Sequence, residues 1–134
     1  MARYYLDTSI WLDYFLKREG PGQDAMLLIT KTLASDDEFI VAHLHLKEFK
    51  NAGLTNQEIA MLLNIAKPRQ LLHAHLYPHQ LSEARALASR AVVPLGDAIH
   101  AILARDNDAI LVSRDVHFQK LRHVVEVRRP DELL

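Results

Sequence analysis

Short apolar segments of strand character alternate with helical segments along the whole chain, and this alternation leaves few folds open. Arg3 to Leu6 reads as a short buried strand, followed by Phe39-Ile40-Val41, Gln70 to Leu76, Ala109 to Val112 and Val124 to Val127. Helices fill the intervals. Thr8 or Ser9 can cap the first, with Ile10, Trp11, Tyr14 and Phe15 on one side. Gly20-Pro21-Gly22 is a break, and a second helix runs from Gln23 to Ser35. The next spans about His43 to Asn51 and ends at Gly53, a C-terminal cap. Thr55 and Glu58 have capping-box spacing ahead of a helix from Ile59 to Ala66. Further helices run from Pro78 to about Arg90, from Asp97 to Arg105 and from Asp115 to Leu121. Strands separated by helices pair in parallel. The expectation is one domain, residues 1–134, built as a three-layer α/β/α sandwich around a short, mostly parallel central sheet.

Composition narrows the chemistry. The 134 residues include no cysteine, which excludes disulfides, thiolate metal sites and cysteine nucleophiles. That agrees with a reducing cytoplasm, the expected location. A formal net charge of −1 advertises no global affinity for nucleic acid, although a local basic patch can still act. No apolar run approaches the roughly 18 to 20 residues of a membrane span. Met1-Ala2-Arg3 leads straight into a strand, so no signal peptide is expected.

Four acids border apolar segments: Asp7, Glu48, Asp97 and Asp115. Carboxylates brought together repel unless a cation or a shared proton holds them. A cluster of such oxygens is what Mg²⁺ or Mn²⁺ takes as ligands. In parallel sheets ligands bind at the C-terminal edge of the strands. Asp7 and Asp115 each follow a strand, so topology alone brings them to that edge. Two divalent ions held there could clamp a phosphodiester, one activating a water and the other steadying the leaving oxygen.

The segment Tyr5-Leu6-Asp7-Thr8-Ser9-Ile10-Trp11-Leu12-Asp13-Tyr14-Phe15 resembles the opening strand and helix of a PIN domain. Asp97-Ala98-Ile99-His100-Ala101-Ile102-Leu103-Ala104 and Ile110-Leu111-Val112-Ser113-Arg114-Asp115-Val116-His117-Phe118 resemble its closing half. The order of the acids and the ending Pro130-Asp131-Glu132 agree as well. Size and opening are most similar to VapC-type toxins. The resemblance implies an Mg²⁺- or Mn²⁺-dependent endoribonuclease with Asp7, Glu48, Asp97 and Asp115 as metal and catalytic acids. It assigns Ser9 and Ser113 as supporting hydroxyls, RNA as substrate, a small antitoxin as partner, and a homodimer. One departure is the segment Ala42 to Lys47 before Glu48, which lacks the small hydroxyl residue often found there.

Plainer roles compete at each position. Asp7 and Asp97 could cap helices. Asp13, six residues beyond Asp7 in a helix, is expected to face solvent. Asp36, Asp37, Asp106 and Asp108 read as turn residues. His43/His45 and His73/His75 are spaced by two, but no third partner completes a zinc site. His100, three residues after Asp97 near the same helix face, could touch the site, with a packing role favoured, and Trp11, Tyr14 and Phe15 are read as core rather than a base-stacking platform. The apolar residues from Leu54 to Ile65 imply either deep burial or a partner surface. Lys47, Lys50, Arg69, Arg114, Lys120 and Arg122 could meet RNA phosphates, with a solvated charge the default for each.

Other functions use the same residues: a PIN nuclease of RNA processing or turnover without an antitoxin, or a non-catalytic RNA- or protein-binding module. A phosphatase with an aspartyl nucleophile would want a second Asp where Ser9 stands. A phospho-receiver domain would want an acidic pair where Thr8 follows Asp7.

Overall fold

The computed structural model describes all 134 residues. Its centre is a sheet of five strands: β1 (Arg3–Leu6), β2 (Glu38–Ala42), β3 (Leu71–Ala74), β4 (Ile110–Val112) and β5 (Val127–Arg128). Every neighbouring pair is parallel, in the order β3-β2-β1-β4-β5. The six α-helices are α1 (Thr8–Phe15), α2 (Pro21–Leu33), α3 (His43–Asn51), α4 (Asn56–Leu63), α5 (Pro78–Ala91) and α6 (Leu95–Asp106). None is long and apolar enough to cross a membrane.

Strand periodicity explains the three layers. Successive side chains of β1 point to opposite faces, so Tyr4 and Leu6 enter one core and Tyr5 the other. The first core packs Phe39, Val41 and Val112 against Trp11, Leu28, Phe49 and Leu62 of α1 to α4. The second packs Ile40 and Leu111 against Ala84, Leu87, Ile102 and Phe118, on the side of α5 and α6. With both faces covered, β1, β2 and β4 are apolar beyond the leading Arg3 and Glu38 rather than alternating.

The strand order reverses at β1. The chain first builds outward through β2 and β3, then returns to place β4 on the other side of β1. A crevice therefore opens beyond the C-terminal ends of β1 and β4, where open parallel sheets bind ligands. The Asp7 amide donates to the Val112 carbonyl at 2.9 Å, extending the β1–β4 pairing to the lip of that crevice.

Several element boundaries differ from the sequence reading. The Gly20-Pro21-Gly22 segment is the start of α2 rather than a break before it. Gly20 precedes the helix at φ 72°, and Pro21 occupies the first turn, where its missing N–H costs nothing. A side chain at Gly22 would lie 2.8 Å from the Asp13 carbonyl oxygen, so α1 and α2 approach closely there. The last strand is only Val127–Arg128, because Val124 and Val125 turn back to bond the Leu121 carbonyl. The segment after Asp115 is a 3₁₀ turn, Val116–Leu121.

Asp13 faces the interior, contrary to the solvent-facing expectation. It is 1 % exposed because α2 packs over the end of α1, a contact that helix spacing alone cannot reveal. Trp11 is fully buried, whereas Tyr14 and Phe15 are half-buried on a groove. The fourth helix answers the open question in both ways: Leu54, Ile59 and Leu62 are buried, and Met61 is 60 % exposed.

Candidate active site and metal centre

All four acids lie at the C-terminal edge of the sheet, each delivered by a different element. Asp7 follows β1, Glu48 lies on α3, Asp97 sits in the first turn of α6, and Asp115 follows β4. Neither Asp7 nor Asp97 is a helix cap by its side chain. Asp7 stands at the N-cap of α1 without a side-chain capping bond, and the N-cap of α6 is Pro94. Asp115 does cap, accepting from the His117 amide at 2.9 Å.

Asp7 is buried and held by hydroxyls. Ser9 Oγ donates to Asp7 Oδ2 at 2.7 Å and Ser113 Oγ to the same oxygen at 3.0 Å. Ser113 in turn accepts from the Asp115 amide at 3.0 Å, so one buried serine ties the two loops together. Both hydroxyl bonds fall on Oδ2 of Asp7, which leaves Oδ1 without a hydrogen-bonded donor.

Asp97 is the least satisfied of the four. Its Oδ2 is buried and has no hydrogen-bond partner. The His117 Nδ1 stands 3.3 Å away but outside hydrogen-bonding geometry. Burial, then the neighbouring charges of Asp115 and Asp7, push its pKa up to about 6. Oxygens of Asp97 and Asp115 and a ring nitrogen of His117 lie within 4.8 Å of one another, close enough to share one cation. The spaced histidine pairs form no such group. His117 belongs to the closing motif, but nothing in its spacing marks it as a donor. It enters because the 3₁₀ turn after Asp115 folds its ring back over both carboxylates.

Glu48 is fixed from two sides. Thr8 Oγ1 donates to its Oε1 at 2.6 Å, and His100 Nε2–H donates to the same oxygen at 2.6 Å. Burial pushes the Glu48 pKa up, but the bond and charge of His100 and the Thr8 bond outweigh it and hold the carboxyl below its ordinary value. Oε2 remains free and points toward the start of α6, 3.5 Å from where a side chain at Gly96 would begin. Thr8 supplies, from α1, the hydroxyl that the segment before Glu48 lacks.

Beneath Glu48 lie three packed rings. The Tyr5 hydroxyl is 2.6 Å from His100 Nδ1, and His45 packs against both, with ring centroids 4.9 Å from Tyr5 and 4.8 Å from His100. His45 Nδ1 accepts from the Ala42 amide at 2.9 Å, so its proton is on Nε2, which donates to the Leu6 carbonyl at 2.7 Å. Complete burial and the adjacent His100 lower its pKa to about 3 and keep it neutral. His45 therefore pins the end of β1 to the start of α3. His100 is buried, but it does more than pack: it carries the bond to Glu48.

This donor set fits a divalent cation. The carboxylates repel in its absence, one buried oxygen has no partner, and the free donors are oxygens with one imidazole, the set that hard cations such as Mg²⁺ and Mn²⁺ accept. Of the cations that could reach phosphates, Arg114 is instead bound to Asp13, and Lys120 lies 3.4 Å from the Val92 carbonyl.

The family model of the PIN domain matches residues 4–124. Among curated protein sequences, none matches. The fold is similar to that of VapBC2 from Rickettsia felis bound to a promoter DNA fragment, with a TM-score of 0.70 and 14% identity, covering 95% of this chain and 98% of that one. It is similar to Mycobacterium tuberculosis VapC20, a toxin that cleaves the sarcin–ricin loop, with a TM-score of 0.71 and 17% identity, covering 93% and 98%. A toxin–antitoxin complex from Klebsiella pneumoniae gives a TM-score of 0.64 at 19% identity, covering 97% and 98%.

Proposed function

The chain belongs to the PIN domain family, and from that premise we propose that it is a divalent-metal-dependent endoribonuclease, the toxin of a type II toxin–antitoxin pair. The observation that carries the reading is Asp97 Oδ2, a buried oxygen without a partner among converging acids. A native structure keeps such an atom when something else satisfies it, and here a cation does so most simply.

Asp7, Asp97 and Asp115 would hold Mg²⁺ or Mn²⁺, with Glu48 offering its free Oε2 and His117 a ring nitrogen. When bound, the metal supplies Lewis acidity toward a phosphodiester and lowers the pKa of a coordinated water. The chain supplies the geometry. Ser9 and Ser113 fix the rotamer of Asp7, and Thr8 and His100 fix that of Glu48. A cleft of about 520 Å³, lined by Leu44, Lys47, His75 and Ile99 among others, adjoins the site where Leu44 and Glu48 both approach Gly96. It offers a cation and apolar surface to an RNA strand.

The antitoxin is supported by a second surface. An apolar groove of about 530 Å³ runs between α1, α2 and α4, lined by Tyr14, Phe15, Met26, Met61 and Ile65. Met26 and Met61 are 48% and 60% exposed there. Contiguous exposed apolar surface of this kind marks a protein interface, and methionine suits a helix of variable sequence. Toxin–antitoxin complexes among the structural relatives point the same way. The homodimer is part of the same family reading.

The test is cleavage of RNA by the purified protein with Mn²⁺ and with a chelator, alongside Asp7→Asn. Metal-dependent cleavage lost in the variant supports the proposal, and cleavage persisting in folded Asp7→Asn overturns it.

A further inference from the structure

The buried carboxylate of Asp13 has no part in the site as described, yet it is joined to it. Asp13 is 1 % exposed, and each of its oxygens meets one arginine. Arg18 Nη1 donates to Oδ1 at 2.9 Å, and Arg114 Nη2 donates to Oδ2. A carboxylate this deep needs such partners, because leaving water unpaired is costly.

The two arginines are not equivalent. Arg18 follows α1 and is local to Asp13 along the chain. Arg114 is 101 residues away, in the loop after the neighbouring strand β4, and stands between Ser113 and Asp115. The tripeptide after β4 is therefore clamped to α1 at two consecutive residues. Ser113 is bonded to Asp7 at the N-terminal end of the helix, and Arg114 to Asp13 near its C-terminal end. Asp115 is the next residue, and its amide is bonded back to Ser113. Its side chain is 43 % exposed and makes no ion pair except with His117. The position of its carboxylate relative to Asp97 depends on the backbone that the two anchors hold.

We infer that Asp13 is a positioning residue for the metal site, acting through Arg114 to hold the Ser113–Asp115 turn so that Asp115 stays within cation-sharing distance of Asp97. The role rests on the metal-site reading above, but the anchor is a property of the chain itself. Arg114 is thereby a structural cation rather than a phosphate contact.

The experiment compares Arg114→Ala, Arg18→Ala and Arg114→Lys with the wild type. Each alanine variant removes one partner of Asp13 and leaves the other, so both keep the buried charge compensated and the fold intact by circular dichroism. Mn²⁺ affinity is read by calorimetry, and backbone hydrogen exchange is read across residues 113–117. Arg114→Ala weakens Mn²⁺ binding about tenfold or more, the scale seen when the support of a metal ligand is removed, and speeds exchange in that segment. Arg18→Ala stays within about twofold of wild type, and Arg114→Lys restores most of the affinity. Equal effects of the two alanine variants, or wild-type affinity and exchange in Arg114→Ala, would overturn the anchor. A wild type that binds no Mn²⁺ removes the metal reading instead, and the exchange comparison still decides whether Arg114 holds the turn.

Discussion

His100 holds Glu48: its Nε2 lies 2.6 Å from Glu48 Oε1, while its Nδ1 lies 2.6 Å from the Tyr5 hydroxyl. The phenol is buried, and its pKa is raised well above the ordinary value by burial first and then by Glu48 and Asp7, so it stays a neutral donor. The result is a hydrogen-bonded chain from the core to the free edge of the site, running Tyr5, His100, Glu48. Replacing His100 with Ala is expected to lower metal-dependent cleavage by about 10- to 100-fold, because the support of a ligand is lost while the ligand remains. Tyr5→Phe is expected to cost about 1 kcal/mol of stability and much less activity. Steady-state cleavage and thermal unfolding of the two variants check both statements.

Asp97 makes the metal-free protein less stable near neutral pH. Its folded pKa is raised to about 6, from an ordinary 3.8. A raised pKa gives a favourable contribution that is complete below the unfolded value and lost as pH rises through the folded one. Asp97→Asn is therefore expected to be more stable than wild type at pH 7 without metal, by about 1 kcal/mol after discounting for partial exposure. The advantage shrinks from pH 6 downward and is gone near pH 4. Saturating Mn²⁺ reverses the ranking at pH 7, since it stabilises only the protein that binds it. Melting curves of both proteins across pH, with and without Mn²⁺, read these signs directly.

Val92 closes α5 in a left-handed conformation, with φ 56° and ψ 56°, and is 76% exposed. A β-branched side chain is poorly suited to that region, and here burial returns nothing for it. Val92→Gly is expected to stabilise the protein by about 1 kcal/mol, raising Tm by roughly 3 °C for a chain of this size. Differential scanning calorimetry checks it, and cleavage activity should not change.

Much of the fold is legible in the sequence because it is written locally. The apolar strand segments, the Thr55–Glu58 capping box and the placement of Asp7 and Asp115 after strands all rest on neighbours along the chain, and the capping box forms as spaced. What escapes the sequence is set by distant contacts. Asp13 has the spacing of a surface residue, and only the packing of α2 and the approach of Arg114 from the loop after β4 bury it. The role of His100 depends on Thr8 and Tyr5 arriving from the first strand and helix, 40 and 95 residues from their partners. His117 gains its position from a 3₁₀ turn whose sequence also fits an α-helix. The acids stand out as residue types, but the groups that orient them come from elsewhere in the chain.

If the four acids at the C-terminal edge of the sheet form a divalent-metal site that cleaves RNA, the reaction needs both the metal and Asp97. The most direct measurement is cleavage of a defined single-stranded RNA by purified wild-type and Asp97→Asn proteins, each with Mn²⁺ and with EDTA. Cleavage is expected from the wild type with Mn²⁺ only, and at least about a hundredfold less from folded Asp97→Asn. Equal cleavage by the two proteins, or cleavage by the wild type that EDTA leaves untouched, would contradict it.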